Sequence, residues 1–306
     1  MKFLSLVLFL ASLCCVETIS TKAETGRLSE AAPAKTSHDM TFRIMRESLP
    51  SCEPNCPEWI FARGQIVPGS AQKLKDIIEL VGARGVPLII QSAGGDMKEA
   101  MEMGRFIRAH KMDVAVGFSY EIPCKEGDVS CRRASIHNHA VRGFISTQPS
   151  YCASACTMVL ASGVARIAAV NSVIGTHKCV NKPITQKIFY AEEYTMVNGI
   201  KVLLRKTETR RETVFGEEAT QTSIEFEANL RQYLALMGVE KNLLDYFDKA
   251  PPSDIYRMTL KDRAATRIIT QTLAPETLVR AGLCTTKSPA KNCVELRSNV
   301  ELSDAE

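Results

Sequence analysis

The sequence lacks a strong excess of either charge, and this absence excludes one large class of proteins. Lysine and arginine number 38, aspartate and glutamate number 34, and the net charge is only +4. Proteins that neutralise nucleic-acid phosphates usually carry a larger basic excess, so we expect no nucleic-acid partner. Internal repeats and low-complexity tracts are also missing, which excludes a repeat architecture.

Metal-binding patterns are equally sparse. Cys52 and Cys56 could form half of a zinc site, but no second half with histidine or cysteine at zinc spacing exists. His137 and His139 lie in a polar stretch, where histidines are usually solvated. We therefore expect neither a metal nor another cofactor. With 45% hydrophobic residues, the chain can build one domain of about 200–250 residues with tails, or two small domains.

The N-terminus carries an export pattern. A basic start, Met1-Lys2, precedes an apolar run at residues 3–16, which is too short to span a bilayer comfortably. Polar residues and candidate cleavage positions after Ser20 or Ala23 follow, so we predict a signal peptide at residues 1–20 and a periplasmic or secreted protein. A lipid anchor on Cys14 or Cys15 is the alternative, and membrane contact is expected only through this segment.

Nine cysteines follow this segment, and in an exported protein they predict disulfides. Close spacing pairs six of them: Cys52 with Cys56, Cys124 with Cys131, and Cys284 with Cys293. Three remain around one short region: Cys152, Cys156 and Cys179. One bridge among these three would brace that region and leave a single free thiol.

Hydrophobic periodicity from Trp59 onward predicts strands that alternate with helices. The expected elements are a strand at 59–66, a helix at 71–81, a strand at 87–91, a helix at 97–109 capped by Asp96, and a strand at 113–117. Such alternation is typical of a mainly parallel α/β sheet.

The later chain is less regular. The expected elements are a loop insertion or lid at 119–149, a charged and β-branched stretch at 180–215, a helix at 216–237, a short strand at 255–259, a closing helix at 275–283 and a tail at 286–306. Together these predict a linker and stapled loop at 21–57 and one α/β domain at 58–285.

Three short motifs point to acyl-transfer chemistry. Ser154 lies among small residues before an apolar run, where a strand-to-helix turn would expose its hydroxyl as a nucleophile. His177 ends a strand-like segment 23 residues downstream and is the candidate base. Gly94 and Gly95 follow a buried-type strand, and their amides, with that of Ala155, could form an oxyanion hole. The combination predicts a serine hydrolase.

These motifs resemble the Clp protease/crotonase superfamily, and more closely a group of secreted bacterial Clp-type proteins. The resemblance runs from about residue 59 to 283 and rests on Ser92-Ala93-Gly94-Gly95, on the turn Cys152–Cys156 and on Gly175-Thr176-His177. It implies stacked β-β-α units, a peptide or protein substrate, and a homo-oligomer with a subunit contact on the helix at 216–237. The family has proline where this chain has Ala93, a change that should leave the amides in place.

The residue that would orient His177 is less clearly marked. The candidates are Asp245, Asp248, Asp254 and Asp262. Asp254 best matches the family position, an acid just before a short strand, although its Pro-Pro-Ser-Asp context also suits a turn. It lies 77 residues beyond His177, so the resemblance implies an insertion within 180–225.

Three function classes fit these motifs. The first is an exported Ser-His-Asp peptidase, with a Ser-Lys variant using Lys178 or Lys98 as its base. The second is an acyl-CoA enzyme of crotonase type, which export disfavours because CoA is scarce outside the cytoplasm. The third is a catalytically inactive scaffold that retains the fold for binding.

Overall fold

Parallel strands form the framework of the protein in the computed structural model. The structure describes residues 39–52, 56–82, 85–129, 131–132, 139–147, 150–179, 184–197, 200–215 and 224–281. All of these belong to one structural unit, residues 37–306. The predicted signal peptide at 1–20, His137, the predicted Cys284–Cys293 pair and the predicted tail at 286–306 lie outside the described residues.

A seven-stranded sheet carries most of the fold, with the strand order β5-β6-β1-β2-β3-β4-β8. Its strands are β1 (Thr41–Glu47), β2 (Glu58–Arg63), β3 (Leu88–Gln91), β4 (Val114–Val116), β5 (Phe118–Glu121), β6 (Ala140–Ser146) and β8 (Arg166–Ala168). The β2-β3-β4-β8 half is parallel throughout, and β1 is parallel to β6. The pairs β1–β2 and β5–β6 are antiparallel.

A smaller sheet stands beside the end of β3. It contains β7 (Tyr151–Ala153), β9 (Val173–Thr176) and β12 (Tyr256–Arg257) in the order β12-β9-β7. β7 and β9 are parallel, and β12 is antiparallel to β9. An isolated parallel bridge between Ser92 and Cys152 joins this sheet to the chain just after β3.

Helices cover both faces of the large sheet. They are α1 (Ser70–Val81), α2 (Met97–Ala109), α3 (Cys156–Ala161), α4 (Ile224–Leu236), α5 (Leu243–Phe247), α6 (Leu260–Thr266) and α7 (Pro275–Ala281). Alternate residues of β3 enter different clusters: Leu88 and Ile90 pack with α1 to α4, while Ile89 packs with Leu278 and Val279 of α7. This alternation follows from the two-residue period of a strand, and it explains why β3 is buried on both faces.

The predicted architecture is confirmed: the protein is α/β with a mainly parallel sheet, a loop insertion and disulfide staples. The α2 prediction is confirmed at both ends, and the Asp96 carboxylate accepts a hydrogen bond from the Glu99 amide at 3.0 Å. This is the N-cap that satisfies one of the free amides of a first helical turn.

Two expectations for the periphery need correction. Residues 21–57 are not only a linker, because Thr41–Glu47 form β1, which lies between β2 and β6 in the large sheet. Residues 119–149 are not only a surface loop, because β5 and β6 extend the sheet edge. In both cases strand pairing with distant segments recruits residues whose local pattern is weakly strand-like.

The charged stretch after β9 forms a long hairpin. β10 (Ile184–Val197) and β11 (Ile200–Phe215) pair antiparallel over their whole length, with two register irregularities. These two strands pair only with each other among the described strands. The hairpin lies within 180–225, the range in which the resemblance predicts an insertion.

Three disulfides occur among the described residues: Cys52–Cys56, Cys124–Cys131 and Cys152–Cys156. Cys179 is the free cysteine of this part of the chain. The prediction of one bridge and one thiol around the candidate site is therefore confirmed. Disulfides of this kind persist in oxidising compartments, and the bridges indicate that the protein matures in one.

Candidate active site

Ser154 occupies a sharp turn between β7 and α3. Its backbone is left-handed, with φ of 54°, a conformation that costs a non-glycine residue of order 1–3 kcal/mol and that often marks a functional turn. The Ser154 amide donates to the Gly175 carbonyl at 2.9 Å, and the Thr157 hydroxyl donates to the Ser154 carbonyl at 2.7 Å. These bonds fix the turn from both sides.

The side chain of Ser154 is left free by this arrangement. The residue is only 8% exposed, and within the described part of the chain its hydroxyl makes no hydrogen bond. Its Oγ is not among the fully buried side-chain atoms that lack a partner in the described residues, so it reaches solvent at a strained turn, where a ligand can contact it.

The disulfide Cys152–Cys156 spans the same turn. The two sulfur-bearing residues flank Ser154 on either side, their Cα atoms are 5.3 Å apart, and both are fully buried. The bridge joins the middle of β7 to the first residue of α3. It therefore closes the turn covalently around Ser154.

The glycine segment after β3 lies directly against this turn. The Ser92 amide donates to the Tyr151 carbonyl at 3.2 Å, and the Ala153 amide donates to the Ser92 carbonyl at 3.0 Å. A methyl group on Gly94 would lie 2.7 Å from Ser154 Cβ and 2.9 Å from the Ala155 nitrogen. Only glycine permits this approach, and the φ of 103° at Gly94 also favours glycine.

The candidate oxyanion amides differ in whether they already donate a hydrogen bond within the protein. The Gly94 amide donates to Ser92 Oγ at 3.1 Å and is thereby occupied. The amides of Gly95 and Ala155 donate to no group among the described residues, so they are the two donors left for a substrate oxygen. Sequence reasoning did not separate Gly94 from Gly95 because the hydrogen bond that the Gly94 amide donates to Ser92 Oγ leaves no pattern in the sequence.

His177 follows β9, next to the end of β7. The register pairs Ala153 with Gly175, and adjacent strands lie about 4.8 Å apart, so Ser154 and His177 emerge from neighbouring strand ends. The imidazole is half-buried, and its Nδ1 lies 2.9 Å from the Lys178 carbonyl oxygen. No hydrogen bond joins Ser154 to His177 in the described residues.

The contact with Lys178 fixes the role of each ring nitrogen. A carbonyl oxygen can only accept, so Nδ1 must carry the proton in the neutral ring, and Nε2 is then the acceptor. A general base needs this tautomer. The backbone carbonyl supplies the orienting contact that a carboxylate supplies in a serine triad.

Asp254 makes no hydrogen bond to His177 in the described residues, although the β9–β12 register sets the segments of the two residues side by side. Its side chain is exposed, and Oδ1 accepts from the Ile255 amide at 2.7 Å. Its amide donates to the Pro251 carbonyl at 3.0 Å, which is the turn geometry that its Pro-Pro-Ser-Asp context allowed.

Two of the other candidate carboxylates differ in position. Asp262 accepts from the Thr259 amide and the Tyr256 hydroxyl; burial opposes the charge, but these bonds outweigh it and lower the pKa of Asp262. Asp248 lies in the segment beside the His177 strand end, where Thr176 Oγ1 donates to the Tyr246 carbonyl at 2.8 Å and the Lys178 amide donates to the Ala250 carbonyl at 2.9 Å.

The free thiol next to the base does not compete as a nucleophile. Burial, with a smaller contribution from the Asp248 charge, raises the pKa of Cys179 to about 11. The thiolate is the nucleophilic form, and at neutral pH Cys179 is therefore a protonated, unreactive thiol. Lys178 and Lys98, the alternative bases, both have exposed side chains.

The residues that the structure describes hold no cluster of three or more histidine, cysteine, aspartate or glutamate side chains able to bind a metal ion. No helix among these residues is long and apolar enough to cross a bilayer.

Comparisons with known proteins give distant likenesses. No protein-family model matches the sequence, and no curated protein matches it. Among 77 matching chains of solved structures are two forms of 1510-N, a membrane-bound stomatin-specific protease. One carries a serine-to-alanine substitution (12% identity, TM-score 0.39, 76% of this chain and 84% of that one). The other carries a lysine-to-alanine substitution and holds a substrate peptide (14%, 0.36, 67% and 69%).

A third match is a protein from Streptomyces coelicolor A3(2) that is assigned as an enoyl-CoA hydratase (13%, 0.25, 49% of this chain and 52% of that one). At identities and TM-scores this low, the likenesses carry nothing about the activity of this chain.

Proposed function

We propose that this protein is an exported serine hydrolase that cleaves peptides, with Ser154 as nucleophile and His177 as general base. One observation carries the proposal. Ser154 is held in a left-handed turn with a hydroxyl that makes no hydrogen bond, and it packs against Gly94. The neighbouring amides of Gly95 and Ala155 have no acceptor among the described residues. A merely structural serine at this turn would be expected to use its hydroxyl in a hydrogen bond.

The chemistry follows from the position of each group. His177 Nε2 takes the proton of Ser154 as Oγ bonds to the substrate carbonyl carbon, and the carbonyl oxygen becomes an oxyanion. The amides of Gly95 and Ala155 would bind that oxyanion; losing one such donor typically costs about 3 kcal/mol of barrier. The imidazolium then returns its proton to the leaving amine, and water releases the acyl group from Oγ by the same route in reverse.

The orienting group is part of the proposal. The Lys178 carbonyl holds Nδ1 in this structure, whereas the family position assigns that role to Asp254. For Asp254 to take it over, its carboxylate would have to leave the Ile255 amide. The variant Asp254→Asn decides between these two groups. If the Lys178 carbonyl orients His177, kcat should fall by less than about tenfold. If the Asp254 carboxylate orients it, kcat should fall by about 10⁴-fold.

A peptide substrate is favoured over an acyl-CoA by compartment. The disulfides indicate an oxidising environment, in which we place the protein as periplasmic or secreted. The scaffold alternative is favoured by one observation, the missing hydrogen bond between Ser154 and His177. In free enzymes such bonds are often long and tighten only with substrate, so we rank the scaffold second.

Labelling by a fluorophosphonate probe tests the nucleophile. We expect the probe to label the wild type, and Ser154→Ala to abolish both labelling and ester or peptide hydrolysis because Oγ is the atom acylated. His177→Ala should lower hydrolysis by at least about 10³-fold, since members of a catalytic unit act together.

Ser150→Ala is the matched control. Ser150 lies one residue before β7, and its hydroxyl is committed to the Thr147 carbonyl at 2.7 Å and to Ser172 Oγ at 2.8 Å. It should label like the wild type. If the probe still labelled Ser154→Ala, Ser154 would not be the nucleophile. If the probe did not label the wild type, the result would support the catalytically inactive scaffold.

A further inference from the structure

The β10–β11 hairpin is the least integrated element of the described fold. Side-chain hydrogen bonds tie its base to the domain: Gln186 Nε2 donates to Asp39 Oδ2 at 3.0 Å, and Thr213 Oγ1 donates to Asp39 Oδ1 at 2.8 Å. A two-stranded hairpin is marginal in water by itself. A hairpin this long therefore invites the question of what its far end contacts.

The far end is rich in exposed apolar side chains. We call residues 194–197 and 200–204 the hairpin tip; residues 198–199 between them lie outside the described set. Met196, Ile200 and Leu204 are 64%, 68% and 65% exposed. The other apolar members are exposed as well: Val197, Val202 and Leu203. Exposed apolar side chains concentrated in this way mark an interaction site.

At the tip of the hairpin both faces carry apolar side chains, and acidic side chains appear only farther from the tip. Directly paired residues share a face. One face of the tip carries the Val197–Ile200 pair, and the opposite face carries the Tyr194–Leu203 pair. Acidic residues begin at the next rungs, where Glu193 pairs with Arg205 and Glu192 with Lys206. A protein partner would contact one face, whereas a lipid phase surrounds the end of an inserted element.

The charge of the tip fits an anionic lipid. The tip contains one cation, Lys201, and no acid. On the next rungs Arg205 and Lys206 pair with Glu193 and Glu192, and Lys206 Nζ lies 3.2 Å from Glu192 Oε1. The Lys201 ammonium lies 3.6 Å from the centroid of the Tyr194 ring. Amphipathic tyrosine rings and lysines with apolar stems are the side chains that suit a membrane–water interface.

We propose that the hairpin tip inserts into the interfacial layer of an anionic phospholipid bilayer. Its open strand edges limit the depth, because unpaired backbone groups are costly in hydrocarbon. The last three rungs, which end at the Val197–Ile200 pair, are two residue steps long and span about 7 Å, close to the roughly 5–8 Å of the polar layer on each side of a bilayer. The sequence assigned membrane contact only to the N-terminal segment, and the tip is a second contact.

Vesicle sedimentation tests the proposal on protein purified after export, with its N-terminus determined by intact mass. We expect the wild type to bind vesicles of phosphatidylcholine and phosphatidylglycerol, and to bind pure phosphatidylcholine much less. Ile200→Ser with Leu204→Ser should reduce binding at least tenfold. Lys201→Gln with Arg205→Gln should remove the preference for the anionic vesicles.

The matched control is Ile188→Ser with Phe189→Ser, which removes two exposed apolar side chains from the shaft of the same hairpin. It should bind like the wild type. Ser154→Ala should also bind like the wild type, because the proposal does not depend on hydrolysis. Near-ultraviolet circular dichroism establishes that each variant is folded.

Three results would overturn the proposal. Absence of wild-type binding is one, and equal binding by the tip variant and the wild type is another. The third is lipid-independent self-association that the tip variant abolishes in sedimentation velocity, without vesicle binding. That last result would assign the tip to a second copy of the chain.

Discussion

At the scale of single residues, the candidate site depends on two backbone conformations that side chains rarely adopt. Ser154 has φ of 54° and Gly94 has φ of 103°. The first points a hydroxyl out of a tight turn, and the second lets one backbone pass against another. Both are costs to stability that functional sites commonly carry.

Gly94→Ala should reduce both stability and activity. The added methyl would meet the Ala153 carbonyl oxygen and Ser154 Cβ at 2.7 Å, so the Ser154 turn must shift. We expect a loss of roughly 2–4 kcal/mol in the free energy of unfolding, from backbone strain and overpacking, and at least about a 100-fold loss of probe labelling rate. Urea unfolding and labelling kinetics measure the two effects.

Gly69→Ala is the control for Gly94→Ala, because it introduces the backbone strain of a positive φ without the steric collision. Gly69 also has a positive φ, 88°, but a methyl group there would meet nothing within 4 Å. It should lose stability by about 1–2 kcal/mol and label at the wild-type rate. If Gly94→Ala labelled as fast as Gly69→Ala, the glycine segment would have no part in the site.

At the scale of elements, the β7–α3 turn is held by a disulfide as well as by its hydrogen bonds. Cys152 and Cys156 are both fully buried, so the bridge is protected from reductants. Its location around Ser154 suggests that it positions the nucleophile in addition to stabilising the fold. Stability alone cannot distinguish these roles, because any bridge restricts the unfolded chain.

Replacing both cysteines of this bridge by alanine should separate the two roles. The entropic model predicts a loss of about 2 kcal/mol for a loop this short. If the bridge positions Ser154, the labelling rate should also fall at least tenfold. The Cys52→Ala/Cys56→Ala pair is the control, since that bridge has the same sequence separation of 4 and lies between β1 and β2. Equal labelling by the two double variants would leave the bridge with a structural role only.

At the scale of the whole molecule, cysteine chemistry reports the compartment. Three bridges and one half-buried thiol account for the seven described cysteines. With the predicted Cys284–Cys293 bridge, the exported chain would contain a single thiol. The homo-oligomer and the removal of residues 1–20 stay predictions at this scale.

Thiol titration with a disulfide reagent should therefore find about one thiol per exported chain, and only after unfolding. In the folded protein at pH 8 the reaction should be slow, because burial raises the pKa of Cys179 to about 11 from an ordinary value of 9.0. A raised thiol pKa stabilises the fold below pH 9, and this contribution is lost as the pH rises towards 11. Cys179→Ala should remove the signal and flatten that part of the stability profile. Many reactive thiols in the purified chain would contradict export.

The sequence by itself determined the parts of this protein that depend on local pattern. The α2 helix with its Asp96 cap, the alternation of strands and helices, and the Ser154 turn each follow from residues close together in the chain. Hydrophobic period, capping and small-residue turns act over a few residues, so a single sequence displays them. The disulfides at short spacing were predictable for the same reason.

Only the tertiary structure decided which distant segments meet. β1 entered the sheet between β2 and β6, Ser92 reached β7, and the Lys178 carbonyl made the hydrogen bond to His177. The β10–β11 hairpin with its apolar tip likewise formed from a stretch whose sequence pattern indicated only charged and β-branched residues. Strand register and backbone hydrogen bonds are set by packing between residues far apart in sequence, and a backbone carbonyl is the same at every position, so none of these contacts has a signature in side-chain type.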